Sequence, residues 1–249
     1  MAIQDALEVI QVDETSKNIQ YPISNIQYST SGLFIDGKKE DNLCFKAYQL
    51  LKIDFPQLPA IKMHLHKTIP PGAGLGGGST DGAFMLKLLN EKFDLGLSTE
   101  QLLSYAVQLG SDCPFFIINK PCFATGRGEI LEPFQLDLSA YRFIIVNPGI
   151  HINTNEAFSL LTPAVPSKPI KKIIQQPIAT WKEELKNDFE APVFRKYSEI
   201  KTIKEKLYKA TAIYASMTGS GSTVYGVFEK NLNANLKFPA NYFVKNILL

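Results

Sequence analysis

Five of the chain's 16 glycines fall in the seven residues Gly72-Ala73-Gly74-Leu75-Gly76-Gly77-Gly78, between an alternating strand pattern and a helical pattern. No other segment restricts the fold as much. Glycines admit positive φ and close backbone approach, so successive N–H groups can converge on an anion. A helix starting at once, with Ser79 and Thr80 in its first turn and Ser79 as its expected cap, adds unpaired N–H donors and the positive end of its dipole. Such a loop predicts a phosphate cradle. The rest of the 249 residues carry a net charge of only +2, with 45% hydrophobic and 20% charged residues. That is globular composition with no electrostatic footprint for nucleic acid. No apolar run approaches the roughly 18–20 residues of a membrane span, and the first residues lack the basic and apolar regions of a secretion signal. Cys44, Cys113 and Cys122, odd in number and irregularly spaced, fit a reduced cytoplasmic protein better than a disulfide framework or a zinc site.

Around the loop the pattern reads as α+β rather than a regular βαβ series. Strands are predicted at Ala6–Val12, Ile19–Tyr21, Ile26–Tyr28, Leu33–Ile35 and Ile61–His66, with a helix after Asp41 or Asn42. A helix capped by Ser98 should end at Gly110. Strands follow at 122–125 and 141–146. The stretch 163–177, rich in proline and lysine, should be exposed in or near a domain connection. Helical patterns near 182–209 and strands near 212–217 and 222–228 complete the chain.

Read alone, the loop leaves several ligands open. A Walker A loop would need a lysine where Gly78 stands. Gly72, Gly74 and Gly77 formally meet a dinucleotide fingerprint, but Pro70 and Pro71 separate them from the strand. A connector without ligand is the remaining reading. Pro70-Pro71-Gly72-Ala73-Gly74-Leu75-Gly76-Gly77-Gly78-Ser79-Thr80, however, resembles the nucleotide loop of the GHMP kinases. Glu40-Asp41-Asn42-Leu43, Leu109-Gly110-Ser111-Asp112-Cys113-Pro114-Phe115-Phe116, Ala124–Leu131, Asn147–Thr154 and Ser216–Ser222 match further segments of that family in order, over most of the chain.

The resemblance implies a two-domain α+β fold. An N-terminal nucleotide-binding domain of ribosomal-protein-S5-domain-2 type would span 1–150, a ferredoxin-like domain 151–249, with the substrate in the cleft between them. It implies ATP and Mg2+ as cofactors and a small cytidyl-diphosphate substrate, 4-diphosphocytidyl-2-C-methyl-D-erythritol, phosphorylated on its 2-hydroxyl in non-mevalonate isoprenoid synthesis. Asp112 would be the general base; read alone, it is an N-cap ahead of Pro114, and the two roles are compatible. Residues 70–80, Asn42 and Lys67 would lie on the nucleotide side, and the Ser79 or Thr80 hydroxyl near Mg2+ or the β-phosphate. Lys67 read alone is a solvated charge at a strand end. Thr154 would face the substrate and Phe158 stack on cytosine; read alone, Phe158 is a core residue. His64 and His66 share a strand face but lack a third ligand at usable spacing, so no metal site is assigned to them. His151 has no assigned role.

The family's first motif, a Pro-x-Lys-x-Asn-Leu strand followed by an Asp-Gly-Tyr-His turn, has no counterpart in these residues. Without its lysine the chain as written is expected to bind ATP poorly and turn over little, with a bare sheet edge. Three rival readings differ in class: another GHMP kinase with a different alcohol, a non-catalytic nucleotide-binding homologue, and a dinucleotide-dependent oxidoreductase.

Overall fold

In Ile61-Lys62-Met63-His64-Leu65-His66-Lys67 every second side chain is apolar until the last, and the period of two fixes which face turns inward. A computed structural model describes residues 3–12, 26–232 and 236–248. There Ile61, Met63, Leu65 and Lys67 are all buried, while Lys62 and His66 are exposed. This strand, β3 (Ile61–Lys67), is the middle of a three-stranded sheet. On one side β1 (Ala6–Gln11) pairs with it antiparallel, and on the other β2 (Ile26–Gly32) runs parallel.

The inner face is covered by α1 (Leu43–Asp54), α2 (Gly77–Lys92), α3 (Thr99–Leu109) and α4 (Cys113–Ile118). Phe45, Tyr48, Leu51, Ile61, Met63, Leu65, Leu86 and Leu89 fill the layer between. Each such side chain contributes roughly 1.5–3 kcal/mol on burial. Asn42 begins α1 by accepting the Cys44 N–H at 2.9 Å. Ser98 begins α3 with a capping box closed by Gln101, and Gly110 ends it. A hairpin of β4 (Cys122–Thr125) and β5 (Ile130–Pro133) follows. The strand expected at Leu33–Ile35 is absent: beyond β2 only the Leu33 N–H reaches the sheet, at the Lys67 carbonyl, 2.8 Å away. Ile19–Tyr21 lie outside the described residues.

Gln4–Pro71 and Gly76–Phe134 form this compact unit; Gln135–Leu249 form a second, which also takes in Gly72–Leu75. The chain thus changes unit after Phe134. The second unit holds an antiparallel sheet in the order β7 (Tyr214–Met217), β8 (Val224–Glu229), β6 (Tyr141–Asn147), β9 (Phe243–Leu248). Its helices are α5 (Thr154–Ser159), α6 (Ile170–Ile174), α7 (Trp181–Glu184), α8 (Glu190–Lys196) and α9 (Ser198–Lys209). Residues 162–167 are exposed, as the prolines predict, but Ile173 is buried against Trp181, Tyr214 and Val227. β9 escapes the sequence pattern because it is an edge strand, mostly exposed and without alternation.

Candidate active site

The glycine loop is built in two halves, one in each unit. In the first unit Gly76 takes φ 69° and stands at the N-cap of α2. The helix therefore opens three residues earlier than a Ser79 cap would place it, and Ser79 lies in its first turn without capping it. The Thr80 N–H and hydroxyl both donate to the Gly76 carbonyl, at 2.8 and 2.9 Å. The first amides of this 16-residue helix have no side-chain cap, so they remain available to an anion. Gly76 must be glycine on two counts, since a Cβ there would also lie 2.7 Å from the Phe116 ring. Gly78 is different. Its φ is not positive, and a Cβ would meet nothing within 4 Å. Neither backbone conformation nor packing within the chain calls for glycine there; open space at a helix N-terminus fits a phosphate.

In the second unit Gly72 and Gly74 take φ 66° and 73°. Thr218 Oγ1 donates to the Gly74 carbonyl at 2.8 Å, and the Thr223 N–H to the Ala73 carbonyl at 3.2 Å. A Cβ on Gly74 would fall 2.5 Å from the Thr218 carbonyl oxygen. Pro70 is half-buried and Pro71 exposed ahead of this half, and Leu75 closes it half-buried. His151, unassigned in the sequence, would lie 3.0 Å through its Nδ1 from a Cβ on Gly72.

Behind the first half, in the same unit, lies a buried ionic cluster. Lys67 is 3% exposed, so its reading as a solvated strand-end charge is overturned. Its ammonium donates to Asp81 Oδ2 at 2.7 Å and also to Asp5. Asp5 Oδ1 in turn accepts the Thr68 and Ile69 N–H groups at 2.6 and 2.9 Å. A Cβ on Gly77 would lie 3.0 Å from Lys67 Nζ, so the ammonium backs the loop from inside the unit. Burial raises the Asp5 pKa, but Lys67 and the two amides together outweigh it and hold the carboxyl below its usual range. For Asp81 burial wins over the pull of Lys67, and its pKa is pushed up to about 6. The sequence held the signal for this cluster. Lys67 continues the inward alternation of β3, Asp5 that of Leu7 and Val9, and Asp81 lies on the α2 stripe Gly77-Asp81-Met85-Leu89.

Asp112 has the opposite setting. It occupies the N-cap position of α4, φ −87° and ψ −16°, but its carboxylate makes no capping bond. It is exposed, with no hydrogen bond or ion pair among the described residues. Its neighbour Cys113 is hydrogen-bonded to Ser79, and Phe116 packs on Gly76, which sets Asp112 beside the start of α2. A Cβ on Gly128 would stand 3.5 Å from Asp112 Oδ1, so the β4–β5 turn passes beside the carboxylate. Asn42 lies ahead of Leu43, against which Gly82 of α2 packs; its Oδ1 is already committed to the α1 cap.

In the second unit Asn153 caps α5 through the Glu156 N–H at 3.2 Å, placing Thr154 first in the helix. Thr154 Oγ1 lies 3.4 Å from Ser220 Oγ. Phe158 is not a core residue: it is 60% exposed and rests edge-on against Phe189, ring centroids 4.9 Å apart. His64 and His66 are tied to Ser29 and Ser31 by hydrogen bonds of 2.8–2.9 Å. Among the described residues no group of three His, Cys, Asp or Glu side chains could hold a metal.

Residues 42–120 match the family described as GHMP kinases N terminal domain, and residues 170–240 match GHMP kinases C terminal. The 4-diphosphocytidyl-2-C-methyl-D-erythritol kinase of Bacteroides fragilis is 48% identical over 226 residues, covering 91% of this chain and 80% of that protein. This chain belongs to the GHMP kinases. The Bacteroides thetaiotaomicron kinase of the same name is 50% identical over 92% of this chain and 81% of its own length. Among solved GHMP kinase folds, a 4-(cytidine 5'-diphospho)-2C-methyl-D-erythritol kinase superposes with a TM-score of 0.73 at 27% identity, over 90% of this chain and 77% of that one. A homoserine kinase from Cytophaga hutchinsonii reaches 0.64 at 12% identity, over 91% and 77%, a likeness of fold alone. No helix among the described residues is long and apolar enough to cross a membrane.

Proposed function

We propose that this GHMP kinase transfers the γ-phosphate of ATP to the 2-hydroxyl of 4-diphosphocytidyl-2-C-methyl-D-erythritol, a step of non-mevalonate isoprenoid synthesis in the cytoplasm. The reaction class rests on one juxtaposition: an exposed carboxylate, Asp112, unpartnered among the described residues, beside the N-terminus of a glycine-opened helix. Asp112 accepts the proton of the attacking hydroxyl. The amides of Gly77, Gly78 and Ser79 take up charge on the phosphates, since phosphoryl transfer depends mainly on alignment and charge neutralisation. The substrate follows from the names of relatives that are 48% and 50% identical to this chain over the aligned residues.

The donor set fits Mg2+. With no cluster of protein ligands among the described residues, a metal here would be held by the Ser79 and Thr80 hydroxyls and by nucleotide phosphates, as Mg2+ commonly is. When bound it supplies charge neutralisation across the phosphates. By the same reading residues 1–150 are the nucleotide-binding N-terminal domain and 151–249 the C-terminal domain, with Thr154 and the exposed ring of Phe158 as substrate-binding residues. Lys67 serves the nucleotide from behind the loop.

Purified protein incubated with ATP, Mg2+ and a panel of alcohols tests this reading through ADP release. The cytidyl substrate should be turned over, even if slowly, and mevalonate and homoserine left untouched. Turnover of either of those instead would favour another GHMP specificity. ATP binding without turnover of any alcohol would favour a non-catalytic homologue.

A further inference from the structure

The turn that grips Gly74 is itself held from a distance. Asn187, ahead of α8, directs its amide Nδ2 at two carbonyls, Met217 and Gly219, each 2.8 Å away. Its Oδ1 accepts the Phe189 N–H at 3.0 Å, which fixes the direction of the amide. Three residues on, Glu190, 9% exposed, accepts the Met217 N–H at 2.8 Å and the Ser216 hydroxyl at 3.2 Å, and Lys204 neutralises its other oxygen at 2.5 Å. Between these anchors the turn is closed by Thr218 N–H to the Thr223 carbonyl at 2.9 Å and Gly221 N–H to the Thr218 carbonyl at 3.0 Å. Gly219 and Gly221 take φ 55° and 96°. Its outer edge is what meets the nucleotide loop: Thr218 Oγ1 on the Gly74 carbonyl and Thr223 N–H on that of Ala73.

We infer that Asn187 is a positioning residue for nucleotide binding, acting through Thr218 to fix Ala73 and Gly74 in their phosphate-cradling conformation. The physical reason is specific to glycine. A glycine loop has little conformational preference of its own, so its bound shape must be imposed by contacts. On this half of the loop those contacts run through one turn, and Asn187 makes two of the hydrogen bonds that fix it. An amide aimed at two carbonyls is a demanding arrangement: a carboxylate of the same shape offers no donor and repels both oxygens. Asn187 touches neither the loop nor any atom the reaction transforms. The inference rests on the reading that the loop holds ATP.

ATP dissociation constants and Tm values are measured for the full chain, Asn187→Asp, Thr218→Val and the double variant, by displacement of a fluorescent ATP analogue. Asn187→Asp should weaken ATP about 10-fold, as misplacing a binding group from outside the site does. Thr218→Val should do the same. The double variant should bind no more weakly than the worse single one, since both break one path. If Asn187→Asp does not fold, Asn187→Ser, which loses the amide donors without gaining charge, replaces it in the cycle. A lowered Tm with ATP affinity unchanged within twofold overturns the inference, as does a double variant weakened by the product of the two single effects. If the unmodified chain binds no ATP at all, the functional reading falls and this inference with it; if it binds ATP and the variants bind equally well, only the inference falls.

Discussion

Asp81 and Asp112 lie in the same unit, each in or before the first turns of a helix, and they have opposite fates. Asp81 is buried, bonded to a buried lysine, and has a raised pKa of about 6. Asp112 is exposed and unpartnered among the described residues. A perturbed titration is often taken to mark catalysis. Here the perturbation comes from burial behind the loop, where Asp81 is paired with Lys67. The carboxylate proposed to accept the proton of the attacking hydroxyl is the one that burial and pairing have left alone.

The contrast makes opposite demands on substitutions. Asp112→Asn should lower kcat by about 10²–10⁴-fold, the range for loss of a general base, while Tm stays the same. Steady-state kinetics and thermal melting on one preparation check both halves; a fall in Tm as large as that of a core variant would break the contrast. Lys67→Met should act in reverse. It leaves two buried carboxylates facing each other without their cation, which costs about 3–5 kcal/mol of stability in a urea titration.

The pH dependence is smaller and runs in a definite direction. Asp81 has a folded pKa above its unfolded value of 3.8, so the folded state binds the extra proton. Its contribution is present in full below about pH 4 and is lost as pH rises through about 6. Asp5 is shifted the other way, so its contribution is present above its unfolded value and fades as pH falls through the folded one. Asp81→Asn should therefore flatten the decline in urea stability between pH 4 and 6 and leave the acid limb in place; an unchanged slope would show that Asp81 is not the group behind that decline. Gly78→Ala gives the smallest effect on folding. With ordinary φ and open space at that position, stability should hold or rise by up to about 1 kcal/mol. ATP binding should nevertheless weaken, because the added methyl occupies the space read here as the phosphate's.

Much of this was legible in the sequence. The glycine loop announces itself because positive φ at Gly72, Gly74 and Gly76 leaves few alternatives to glycine. Asp112 was found through its neighbours Cys113-Pro114-Phe115-Phe116. What the sequence hid depends on contacts between distant segments. Lys67 continues the inward alternation of β3, but its partners Asp5 and Asp81 come from segments far from it in the chain. Asn187 carries no local pattern, since its partners are the carbonyls of a turn formed much later in the chain. Ser79 was misplaced as a cap because Gly76, with its left-handed φ, can begin a helix that a Cβ-bearing residue would begin later. The edge strand β9 shows no period because its side chains are mostly exposed on both faces.

The central claim is a phosphoryl transfer to a defined oxygen. Incubating the protein with ATP, Mg2+ and 4-diphosphocytidyl-2-C-methyl-D-erythritol and reading the product by 31P and 1H–31P NMR tests it most directly. A new phosphomonoester coupled to the position bearing the 2-hydroxyl, formed one for one with ADP and lost in Asp112→Asn, is the predicted result. A phosphate on another oxygen, or ADP formed with inorganic phosphate and no ester, would contradict it.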